Sequence, residues 1–135
     1  MTKIGKCYLA CVLLVVASLF SCKETRYRLN EVGAQSSIRA IRNAQTAYRS
    51  RQDRFGTLQE LHSSGLIDAE LASGVKDGYR IEVRVGQDSF TAIATPLEYN
   101  VTGSWSYYLD ESGVIRGSST KGKAPGKDDR PIRYQ

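Results

Sequence analysis

The chain is poor in the side chains that do chemistry. Histidine occurs once, at His62, and cysteine three times, in 135 residues. That is too little for a zinc set, which takes four ligands held in a tetrahedron, so the residues predict no bound metal. His62 stands in Leu61-His62-Ser63-Ser64. A Ser–His pair needs separated partners brought together with an orienting carboxylate, and these serines are simply its neighbours. A helix-end histidine favoured by the dipole is the plainer reading. No glycine-rich phosphate loop occurs. Asp110-Glu111 and Asp128-Asp129 lack the dense Asp, Asn and Gly series that gives calcium its oxygens. The first pair, in Asp110-Glu111-Ser112-Gly113, reads as a hairpin turn. The residues therefore predict no enzyme and no cofactor. With 41% apolar and 24% charged residues, the chain is neither disordered throughout nor a multi-span membrane protein. Its length suits one domain.

The N-terminus is the most informative stretch. Lys3 and Lys6 precede an apolar run from Tyr8 to Phe20, broken by Ser18 alone, and a small residue, Ser21, then stands before Cys22. This is the layout of a secretory signal. A transmembrane helix needs about 18 to 20 apolar residues, and this run is shorter. Residues 1–21 thus read as a signal peptide. Its removal takes away two lysines and lowers the formal net charge from +5 to +3. Such a mild balance argues neither for nor against nucleic acid.

Leu19-Phe20-Ser21-Cys22 resembles the bacterial lipobox, although Phe20 is bulkier than usual at its place. The resemblance implies cleavage just before Cys22, a diacylglycerol on its sulfur and an acyl chain on the new amine. Several chains give stable anchoring, so the membrane is the first expected partner. The other reading is a chance cysteine after an ordinary signal. Cys7 and Cys11 lie inside the signal, so Cys22 has no partner in the mature chain and no internal disulfide is possible. Lys23 stands where an Asp commonly retains lipoproteins in the inner membrane of enteric bacteria. By the same resemblance the outer membrane or the surface is favoured.

After a polar tether over 22–29, the pattern turns helical. Asn30 can cap a helix, with Glu31 at its positive end. Ala34, Ile38, Ile41, Gln45 and Tyr48 form an amphipathic stripe of about six turns that Gly56 stops. Thr57-Leu58-Gln59-Glu60 is a capping box before a short helix with Leu58 and Leu61 inside. Asp68 to Ala72 makes one more turn. Tyr79 to Val85 alternates as a half-buried strand, and Phe90 to Thr95 returns. Trp105, Tyr107 and Leu109 alternate in a third strand, and Val114 to Arg116 forms a fourth. The expected fold is α+β: a long helix packed on a four-stranded antiparallel sheet, spanning 30–117. Residues 118–135, rich in Ser, Lys, Gly and Pro, are expected to fray.

This order resembles the globular part of type IV pilins and type II secretion pseudopilins. The residues that carry the likeness are Ala34 to Ile41, Phe55-Gly56-Thr57-Leu58, Gly65-Leu66-Ile67-Asp68, Gly78-Tyr79, Ala92 to Pro96 and Tyr107 to Arg116. Pilins, however, carry a Gly before the mature Phe or Met, a Glu four residues on, and a long apolar helix half that packs the filament core. Here the apolar segment ends in a lipobox and the next residues are polar. The resemblance implies a pilin-like head on a lipid anchor rather than a pilus subunit.

Arg39, Arg42 and Arg49 recur on one helix side, with Arg51 and Arg54 close behind. A basic stripe is the footprint that nucleic acid requires, but no aromatic stacking partners accompany it. A solvated face is the commoner meaning, and anionic headgroups are an equal alternative for a tethered protein. Two functions follow. One is a non-catalytic envelope lipoprotein whose head contacts another envelope protein, linked to a pilus or secretion system. The other is a DNA-capturing or adhesive surface lipoprotein that uses the Arg stripe. With its one apolar stripe spent on the sheet, the head is expected to be monomeric.

Overall fold

The long helix starts far upstream of Asn30. In the computed structural model α1 spans Thr2–Gln52. The structure describes residues 2–119, 121 and 123–133, with side chains at Val12 and from Arg26 onward. The side chains of the rest of the signal region, and that of Cys22, lie outside the described residues. Residues 23–29, expected as a tether, are helical. Lys, Glu, Arg and Leu are good helix formers, and no glycine or proline interrupts them. Asn30 is therefore an interior helix residue and caps nothing. Its Nδ2 donates instead to the Thr102 carbonyl at 3.0 Å.

The helix also ends earlier than Gly56. It stops at Gln52, and Asp53 takes a left-handed turn (φ 54°) while its N–H bonds to the Arg49 carbonyl. Aspartate tolerates that conformation for a single residue. Gly56 serves close packing: a Cβ there would lie 3.1 Å from the Tyr48 ring and 3.2 Å from Leu61. Two short helices follow, α2 (Leu58–Ser63) and α3 (Ala69–Ala72). Thr57 and Glu60 close the expected capping box, and Asp68 caps α3 through the Leu71 N–H.

Five strands, not four, make the sheet: β1 (Val75–Lys76), β2 (Tyr79–Val85), β3 (Phe90–Pro96), β4 (Ser106–Asp110) and β5 (Arg116–Ser118), antiparallel and in chain order. The extra strand comes from Asp77-Gly78. Both residues have positive φ, 50° and 74°, the signature of a type I′ turn, so the turn folds Val75–Lys76 back onto β2. The last strand starts two residues later than expected. Asp110 and Ser112 side chains take the N–H groups of Ser112 and Val114, which delays strand pairing.

Helix α1 lies over β3 and β4. Ala34, Ile38, Ile41, Ala44 and Tyr48 are buried, as are Tyr79, Ile81, Ala92, Ala94, Tyr107 and Leu109 on the sheet. The two alanines of β3 give the helix room at the sheet centre. Trp105 departs from the expected alternation. It precedes β4, is exposed, and its carbonyl accepts from the Tyr79 hydroxyl at 2.9 Å. Burial, followed by the neighbouring Tyr107 and Glu31, pushes the Tyr79 phenol well above its usual range. The segment after Gly117 does not fray throughout. Gly117 N–H bonds to Arg130 O and Ile132 N–H to Ile115 O, so Arg130–Ile132 straps the outer edge of β5. Ile132 packs against the core, which holds the strap down.

Candidate functional site

Of the sequence-predicted basic residues, Arg39, Arg42, Arg49 and Arg51 lie on α1, and Arg54 lies just beyond its end. Arg42 and Arg49 are seven residues apart and so share one helix face within about 20°. Arg39 stands about 60° away from Arg42, given the pitch of an α-helix. Arg39 Nη2 donates to Gln35 Oε1 at 3.4 Å, and Gln35 Nε2 donates to the Tyr107 hydroxyl at 3.2 Å. Arg49 places its guanidinium 4.6 Å over the Phe55 ring. Arg54 lies 5.3 Å over the Tyr48 ring and pairs with Glu60 at 2.6 Å. The aromatic rings that meet Arg49 and Arg54 thus belong to the domain itself. The structure brings Arg42 and Arg49 into line and engages Arg39 with its own helix and sheet.

Arg54 and the Thr57 backbone hold the Glu60 carboxyl down at about 2, against an ordinary value of 4.5. A depressed carboxylate stabilises the fold above its unfolded value and loses that contribution as pH falls through its folded one. The Glu60 share of stability should therefore fade between about pH 4.5 and 2, and Glu60→Gln should flatten that part of the acid-unfolding profile. Because the pair is exposed and screened by solvent, the change should be small. An acid limb with the same slope in both proteins would refute the assignment.

His62 is exposed, and its Nδ1 lies 3.1 Å from the Ile67 carbonyl, so Nδ1 carries the proton and donates. Asp129 Oδ2 accepts from the Gly126 N–H at 2.9 Å, and Asp110 Oδ1 accepts from Ser112. These carboxylates hold turns. Among the described residues no group of three or more His, Cys, Asp or Glu side chains is placed to hold a metal ion. Among the same residues no helix is long and apolar enough to cross a membrane.

A feature that sequence reasoning missed sits where α1 enters the domain. Glu31 was expected to serve the helix dipole. Its Oε1 instead accepts from Ser104 N–H at 3.0 Å, Ser104 Oγ at 3.2 Å and Trp105 N–H at 3.2 Å. With Asn30 bonded to Thr102, two consecutive helix residues clamp the β3–β4 loop from above. No local signal announces this, because the partners are more than seventy positions apart. The clamp fixes the rotation of α1 at this level. Leu29 and Val32, on either side of the clamp, are turned outward and are 65% and 63% exposed.

No protein-family model and no curated protein matches the chain.

Proposed function

We propose that this chain is a non-catalytic lipoprotein of a bacterial cell envelope. Cys22 carries the lipid, and the α+β head contacts another envelope protein. The observation that carries the reading is Leu19-Phe20-Ser21-Cys22 at the end of an apolar run too short to span a bilayer, with no second cysteine beyond it. The likeness of the head to pilin and pseudopilin heads supports a role beside a pilus or secretion machine. Lys23 favours the outer membrane. Cys22→Ala should abolish labelling by a fatty-acid analogue and release the protein from membranes. Labelling that persists in the variant would sink the proposal.

A second reading draws on the alignment of Arg42 with Arg49 beside Arg39, a basic strip for anionic ligands such as DNA. Binding through it would weaken steeply with salt and with Arg42→Ala and Arg49→Ala together. Titration of labelled duplex DNA at two salt concentrations separates the two readings.

A further inference from the structure

The stretch of α1 before the sheet has two sides. Asn30 and Glu31 are spent on the β3–β4 loop, through Thr102, Ser104 and Trp105. Leu29 and Val32 are three residues apart on the side away from that loop, and both are about two-thirds exposed. Helical pitch sets Arg28 and Arg26 on the two flanks of this apolar pair. An apolar strip edged by cations on both sides is the layout of a helix that lies in a membrane interface.

Position 22 lies seven residues before Leu29. Two turns of helix bring it within about 20° of Leu29 around the axis. They also place it about 10 Å away along the axis, at 1.5 Å per residue. We infer that the Arg26–Val32 stretch of α1 rests on the lipid surface, with Leu29 and Val32 dipping into the interface and Arg26 and Arg28 at anionic headgroups. The inference deepens the proposed function and rests on acylation of Cys22, because the acylated position and the apolar pair share one side of the helix. The occupant is a lipid surface because the pair is aligned with the acylation position and edged by arginines, whereas a protein partner would need no such alignment. Seating the helix this way holds the head at a fixed tilt. The clamp at Asn30 and Glu31 ties head to helix, so the tilt of one sets the tilt of the other.

Trp105 is the chain's single tryptophan and sits on the loop side of the clamp, which makes it a built-in control. The test uses the full acylated protein in vesicles of phosphatidylethanolamine and phosphatidylglycerol. A Val32→Trp, Trp105→Phe variant moves the one indole to the proposed contact, and Leu29→Trp in the same background is a second reporter. Both replaced positions are exposed, so the fold should tolerate them. Expected are a blue shift and strong quenching of the introduced indole by lipids brominated on their acyl chains, with shielding from aqueous iodide. Trp105 in the unsubstituted protein should stay open to iodide and insensitive to bromolipid. If the vesicles float with protein acylated at Cys22, yet both introduced indoles remain open to iodide, the seat is refuted and the anchor stands. Equal quenching of Trp105 would refute this face as the contact. Protein that lacks an acyl mass on Cys22 would refute the anchor and the seat with it.

Discussion

Ile41→Ala should destabilise the head by about 2 to 5 kcal/mol, the usual cost of truncating a fully buried large aliphatic side chain. Ile41 has no exposed surface and lies in the middle of the helix stripe, between Ile38 and Ala44, over the sheet. Its removal opens a cavity in a cluster whose β3 members Ala92 and Ala94 are themselves small. For a head of this size each kcal/mol should lower the melting temperature by about 4 to 8 °C. Thermal unfolding of the full chain in mild detergent, followed by far-ultraviolet dichroism, reads the change. Asn43→Ala, on the exposed side, should stay within about 0.5 kcal/mol of the parent. An Ile41→Ala cost that small would place Ile41 outside the core and break the helix-on-sheet arrangement.

Gln45→Leu should cost about 2 to 4 kcal/mol, although it keeps the volume and adds apolar surface to a buried site, since stranded buried polar groups each cost about 1 to 3 kcal/mol. Gln45 is 1% exposed and bonds the backbone of Gly56 twice: Nε2 donates to Gly56 O at 2.6 Å, and Gly56 N–H donates to Oε1 at 2.9 Å. Leucine leaves that N–H and C=O buried without partners. Gln45→Glu separates this account from simple packing. At neutral pH the carboxylate still accepts from Gly56 N–H but sets a second oxygen against Gly56 O. Once protonated, it can donate there, so part of the lost stability should return on acidification. A Gln45→Glu variant that only worsens as pH falls would overturn the reciprocal pairing.

Much of the fold was legible because it is local. The stripe from Ala34 to Tyr48, the alternation of Tyr79, Ile81 and Val83, and the Thr57–Glu60 box each encode their geometry within a few residues. The Asp77-Gly78 hairpin that folds β1 back onto β2 is equally local, a two-residue turn with both φ values positive. What could not be read depends on distant partners. Asn30 looks like a cap until Thr102 claims its amide, and Trp105 looks like a strand residue until Glu31 holds its N–H. The tail composition suggests fraying, but Ile132 finds the core and carries the strap with it. For the candidate site, periodicity aligned Arg42 with Arg49 yet was blind to the Phe55 ring beneath Arg49. The proposal for Cys22 rests on its motif alone.

The strap along β5 also sets how many neighbours the sheet can recruit. A sheet with two open edges has a valence of two, and identical molecules could then add strand to strand without end. Here Arg130–Ile132 occupies one edge, and the other offers only the part of β2 that the two-residue β1 leaves uncovered. A valence of one terminates at a pair: two copies meeting edge to edge about a two-fold axis consume both free edges and leave nothing for a third.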